Sequence, residues 1–97
     1  MLFAIHARDK SGALALRTAS RDAHIAFLKA AGSRLKLAGP LLDEAGAMCG
    51  SLLIYEAETL TDVHAWLGDD PYGKAGLFET VIVTGVKPVL GELVNAS

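Results

Sequence analysis

Two strand-like stretches of this chain are apolar on both of their alternating faces, and in 97 residues that leaves few folds open. Leu2 to Ala7 sets Phe3, Ile5 and Ala7 against Leu2 and Ala4, and Gly50 to Ala57 sets Leu53 and Tyr55 against Leu52 and Ile54. A strand that is greasy on both sides must be covered on both sides. A chain this short makes one domain with one thin core. We read residues 1–97 as that domain, with the core over about 2–86 and a tail from 87 to 97. Apolar residues are 52% of the sequence, more than one small domain hides with ease, so a second subunit is expected over one face.

Helical periodicity fills the gaps between the strands. Ala13 to Ala31 is dense in alanine and leucine, and Gly32 is placed to end it. Its sheet-facing stripe is expected to be Ala19, Ala23, Ala26, Phe27 and Ala30. A separate line, Arg17, Arg21, His24 and Leu28, stacks along one side of the same helix. It reads either as a solvated face or as a functional one, and Leu28 at its lower end speaks against open water. Arg34 to Ala38 alternates as a half-buried strand that Gly39-Pro40 should stop, and Leu41 to Gly46 reads as a loop. Thr59-Leu60-Thr61-Asp62 has the form of a capping box. The helix it opens should turn Leu60, Val63, His64 and Leu67 inward, with Trp66 beside them, and end at Gly68. Phe78 to Val86 is the last strand.

The order strand, helix, strand, strand, helix, strand is that of the ferredoxin-like α+β fold, a four-stranded antiparallel sheet with both helices on one face. The other face is left bare. Two sheets packed face to face would cover both, so a homodimer through the open sheet face is expected.

Between the second helix and the last strand lies Gly68-Asp69-Asp70-Pro71-Tyr72-Gly73-Lys74-Ala75-Gly76-Leu77. Glycine and proline at that density force a turn, and a polar turn ahead of an apolar strand is where a small domain places reactive side chains. A solvated connector is the plainer reading. A net charge of −2 with scattered basic residues argues against nucleic acid. Cys49 is the only cysteine, so neither an internal disulfide nor a thiolate metal site is expected. With no basic residue beside it, Cys49 reads as an inert thiol. No segment approaches the ~20 apolar residues of a membrane span, and the start lacks the pattern of a signal peptide, so a cytoplasmic protein is expected. His6 on a strand and His64 on the second helix read as packed or edge histidines, and Tyr55 and Trp66 as core or interface aromatics.

Five motifs together resemble the YciI-related proteins (YCII-related domain), small members of the dimeric α+β barrel superfamily. They are the opening Phe3-Ala-Ile-His strand, Arg17…Arg21-Asp-Ala-His24-Ile-Ala-Phe-Leu, Gly39-Pro40-Leu41, Gly50-Ser51, and Asp70-Pro71-Tyr72…Ala75-Gly76-Leu77. The resemblance spans about residues 2–86, and nothing transfers after Lys87. It implies a homodimeric ferredoxin-like protein with a catalytic centre built on a histidine and an aspartate. His24 and Asp70 carry those roles over, with Asp43 as a rival for the carboxylate. A carboxylate beside an imidazole fixes its tautomer, and the imidazole can then move a proton from a phenol or from a carbon next to a carbonyl. Arg17 and Arg21 could hold a substrate carboxylate or enolate, and Ser51 and Tyr72 offer hydroxyls. The expected activity is cofactor-free proton transfer, of isomerase or lyase type, on a small ring, enol or lactone-like substrate. A binding module for a small anionic metabolite and a purely structural dimer are the competing readings.

Overall fold

A computed structural model describes residues 1–92. The elements are β1 (Leu2–Asp9), α1 (Leu14–Ala30), β2 (Leu35–Leu42), β3 (Met48–Glu56), α2 (Leu60–Leu67), the one-turn helix α3 (Pro71–Lys74) and β4 (Phe78–Val86). The strands form one sheet in the order β2-β3-β1-β4, every neighbouring pair antiparallel. This is the ferredoxin-like α+β fold. Among the described residues no helix is long and apolar enough to cross a membrane.

The period of two in β1 decides what lies beneath the helices. Phe3, Ile5, Ala7 and Asp9 are buried on the helix side, with Leu53 and Tyr55 of β3 beside them. Residues directly opposed in an antiparallel pair share a face, so Ile5 meets Leu53 on one side and Val83 of β4 on the other. Leu28 of α1 and Val63 of α2 complete a core around Phe3, Ile5, Leu53 and Tyr55. Each such side chain, fully buried, contributes roughly 1.5–3 kcal/mol. On the opposite face His6 sits exposed between Leu52 and Ile82, so it is not packed in the described subunit.

Five local expectations fail. The helix α1 turns Arg17, His24 and Leu28 inward, whereas Ala19, Ala23, Ala26 and Ala30 are exposed and only Phe27 of that stripe is half-buried. Alanine has little area to bury, so Leu28 and two polar side chains with partners beneath the helix set its rotation. In α2, Val63 faces in but Leu60 and His64 are exposed, with Trp66 and Leu67 half-buried. Strand β2 does not stop at Gly39-Pro40: it runs to Leu42, pairing Gly39 with Leu52 and Pro40 with Ser51. Proline is tolerated because β2 is an edge strand, where its missing N–H can face away from the ladder. A register shift between Leu35 and Leu37 also sends these two leucines to opposite faces, opposite Tyr55 and Ile54 respectively. The expected loop over Leu41 to Gly46 contracts to a tight hairpin turn, closed by Asp43 N donating to Ala47 O at 2.9 Å.

The helix ends follow the sequence more closely. Gly32 takes a φ of 60° just past α1, the left-handed stop expected of it. Thr59 accepts from Asp62 N at 3.1 Å and caps α2. The glycine-rich bend after Gly68 holds a helical turn of its own. Asp70 caps it, accepting from Tyr72 N at 3.0 Å, and Pro71 sits at its first position, where a fixed φ is favourable. The bend is fastened to the end of β1 by Lys10 N donating to Leu77 O at 2.9 Å. In the tail, Val89 and Leu90 are exposed, and residues 93–97 lie outside the described residues.

Candidate functional site

The inward face of α1 meets α3 over the end of the sheet, and there the polar residues collect. His24 Nδ1 lies 2.8 Å from Asp70 Oδ1, with the two residues 5% and 1% exposed. An ionised carboxylate can only accept, so a neutral imidazole in this bond carries its proton on Nδ1. Nε2 is then left with its lone pair, and it has no hydrogen-bond partner among the described residues. Asp70 Oδ1 serves both His24 and Tyr72 N, while Oδ2 is buried without a partner. The imidazole also stacks on the Tyr72 ring, centroids 3.7 Å apart and planes 13° from parallel.

Two turns earlier on α1, Arg17 is 3% exposed. Its Nε donates to Asp9 Oδ2 at 2.6 Å, and its Nη2 donates to Asp9 Oδ1 at 3.1 Å and to Ser51 Oγ at 2.7 Å. Its guanidinium carbon lies 4.7 Å from the Tyr72 ring centroid. Burial works against the cation, but the hydrogen bonds and charge of Asp9 outweigh it and hold the Arg17 pKa above its ordinary value. Burial pushes the Tyr72 phenol up, with Arg17 and then Arg21 pulling the other way. The phenol therefore stays protonated throughout the neutral range. Arg17 is thus committed to the protein, whereas Arg21 is exposed and makes no ion pair among the described residues.

A cavity of about 220 Å³ opens between α1 and the β2–β3 side of the sheet. His24, Arg17, Arg21, Ser51 and Tyr72 give its polar lining, and Ile25, Leu28, Pro40, Met48 and Leu53 its apolar one. The Ser51 hydroxyl accepts from Arg17 and keeps its own proton free to donate there.

Asp43 is not the partner of His24. Its Oδ1 accepts from Ala45 N and Ala47 N, both at 2.9 Å, and shapes the β2–β3 hairpin. It lines a different cavity, of about 410 Å³, with Lys10 and the half-buried thiol of Cys49. Among the described residues no three His, Cys, Asp or Glu side chains converge as metal ligands would. The residue that sequence reasoning missed is Asp9. The signal was present, because Phe3, Ile5 and Ala7 define the inward face of β1 and Asp9 is the next position on it. An acid there needs a buried cation, and Arg17 on the inner line of α1 is that cation.

Comparison with known proteins agrees with this architecture. The family model described as YCII-related domain matches residues 1–87. Protein YciI of Escherichia coli O6:H1 is 39% identical over 97 residues, covering 92% of this chain and 99% of its own. Among solved structures, 5-chloro-2-hydroxyhydroquinone dehydrochlorinase (TftG) from Burkholderia phenoliruptrix AC1100, in complex with 2,5-dihydroxybenzoquinone, superposes with a TM-score of 0.83 at 38% identity. That match covers 90% of this chain and 94% of TftG. An antibiotic biosynthesis monooxygenase shares the fold alone, with a TM-score of 0.55 at 11% identity over 91% of this chain and all of its own. With its model matched across nearly the whole fold and relatives near two-fifths identity, the chain belongs to the YCII-related domain family.

Proposed function

We propose that this protein is a small-molecule enzyme in which His24 and Asp70 form an acid–base centre for proton transfer, with an elimination of lyase type as the reaction it suits best. The observation that carries the reading is the buried His24 Nδ1–Asp70 Oδ1 contact at 2.8 Å, which leaves Nε2 free on a residue that lines a cavity. The similarity to TftG, whose name is that of a dehydrochlorinase, supports the reaction class. In such a step Nε2 takes a proton from a substrate hydroxyl or an acidic C–H. The electron pair left behind forms the new double bond as the bond to the leaving group breaks, and the leaving group departs with the electrons of that bond. Asp70 holds the imidazolium that results. Arg21, the exposed cation among the lining residues, faces the developing negative charge, and the Ser51 hydroxyl donates to it.

The test is a panel of halogenated phenols and hydroquinones, enones and lactones, followed by product formation and halide release. At least one should be converted, and His24→Ala should lower kcat by about 10²–10⁴-fold while the ligand still binds. A wild-type protein that binds members of the panel and converts none would make the cavity a receptor for small anions instead.

The bare sheet face belongs to the same proposal. Leu37, Ile82 and Val86 are exposed on it, and Leu52 and Ile54 are half-buried. A second copy packed sheet to sheet would cover them. Light scattering at micromolar concentration should give twice the mass of one chain, and a single-chain mass would remove the dimer.

A further inference from the structure

Tyr72 touches three parts of the site at once. Its ring stacks on His24 at 3.7 Å, Arg17 lies over the ring at 4.7 Å, and its backbone N–H donates to the same Asp70 oxygen that meets His24. One face of a phenol cannot hold both a parallel imidazole at that distance and a guanidinium, so the two occupy opposite faces. Their spacing on α1 agrees: residues two turns apart are separated by roughly 10 Å along the axis, enough to admit a ring between them. Arg17 cannot swing away, because Asp9 grips two of its nitrogens and Ser51 a third contact, all at 3.1 Å or less.

We propose that the Asp9–Arg17 ion pair and the Tyr72 ring are positioning groups for His24, a clamp that fixes the imidazole in the rotamer and tautomer that present Nε2 to the cavity. This deepens the acid–base reading above and rests on it. The hydrogen bond to Asp70 fixes one ring nitrogen but does not by itself fix the tilt of the ring plane. A parallel ring at 3.7 Å removes that freedom, and the guanidinium behind it keeps the ring from retreating. A buried ion pair adds little to stability by itself, because desolvation offsets its attraction. Holding geometry is a role that such a pair is well suited to. The stack itself uses the ring of Tyr72, while its hydroxyl interacts with Arg17, so Tyr72→Phe separates the two contributions.

The test reads the imidazole directly by NMR in the unliganded protein, so it does not depend on turnover. Long-range proton–nitrogen spectra report which His24 nitrogen carries the proton, and the ring-proton shifts report the stack. In the wild type and in Tyr72→Phe, neutral His24 should be held as the Nδ1–H form in one conformation. In Tyr72→Leu the Nε2–H form and a second rotamer should appear. Arg17→Lys leaves the ring in place and loosens its backing, so the ring-induced shift of His24 should shrink. With a converted substrate in hand, Tyr72→Leu should lower kcat by about 10–100-fold with KM changed far less, and Tyr72→Phe should restore it. If Arg17→Lys fails to fold, Ser51→Ala loosens the pair without leaving a charge unpaired, and the same smaller shift is expected. Unchanged tautomer, rotamer and ring shift in the folded variants would overturn the clamp and leave the His24–Asp70 centre standing. A wild type with Nδ1 unprotonated on neutral His24 would overturn the centre itself.

Discussion

Replacing Asp70 with asparagine should give a protein that still folds and whose His24 is impaired as a base, with kcat down by about 10²–10⁴-fold. Asparagine caps a helix about as well as aspartate, so α3 keeps its start. The fault lies in the amide's two unlike ends. Asp70 Oδ1 serves two groups, Tyr72 N–H and His24 Nδ1, while Oδ2 is buried without a partner. If the amide oxygen takes the place of Oδ1, the NH₂ group is buried with nothing to donate to, at a cost of about 1–3 kcal/mol. If the amide is turned round, its NH₂ faces the Tyr72 N–H, donor against donor, and forces His24 to accept at Nδ1. The proton then moves to Nε2, where a base is needed. Either arrangement is worse than the carboxylate, and the second inverts the tautomer. Thermal melting and the His24 nitrogen spectrum measure the two consequences separately. A variant with wild-type turnover would show that the acid is not needed at this position.

The larger effect on stability is expected at Gly50. A Cβ built there would lie 2.3 Å from the backbone oxygen of Ala7 and 3.1 Å from Leu41 Cδ1. Strand β3 is paired on both edges at this point, with Arg8 of β1 and Leu41 of β2 opposite Gly50, so neither side yields without breaking a ladder. Overpacking of this kind costs on the order of 3 kcal/mol, a large share of what holds a small domain together. For a chain of this length that is a fall in Tm of roughly 12–24 °C. Gly85→Ala is the control, because its new methyl would meet the flexible end of Met1 at 2.7 Å and only that side chain has to move. Equal melting temperatures for the two variants would mean that the sheet accommodates the strain.

How far the sequence could be read follows from what each residue needed. The strands announced themselves because Phe3, Ile5, Leu53 and Tyr55 bury area whatever their neighbours, and the period of two sorts their faces. The Thr59 cap and the Gly32 stop are local chemistry and were equally plain. The rotation of α1 was not, since its inner face carries Arg17 and His24, and polar side chains point inward only when partners wait for them. Those partners are remote: Asp9 lies before the helix, Ser51 on the third strand, and Asp70 and Tyr72 far along the chain. Resemblance brought His24 and Asp70 forward as a pair, and it is silent on the stack that joins them to Arg17. The continuation of β2 through Gly39-Pro40 was hidden for another reason. A proline's tolerance depends on whether a strand lies at the edge, and strand order is a property of the whole sheet.

The Lys10–Leu77 bond has one more implication. By tying the exit of the first strand to the entrance of the last, it brings both halves of the chain to a single seam, and the catalytic candidates straddle that seam. No continuous fragment can own the cleft, so the cleft comes into being only when the two ends of the chain have found each other. A small molecule bound there would act as a stitch across the entire subunit, and its grip would be felt as resistance of the whole molecule to coming apart.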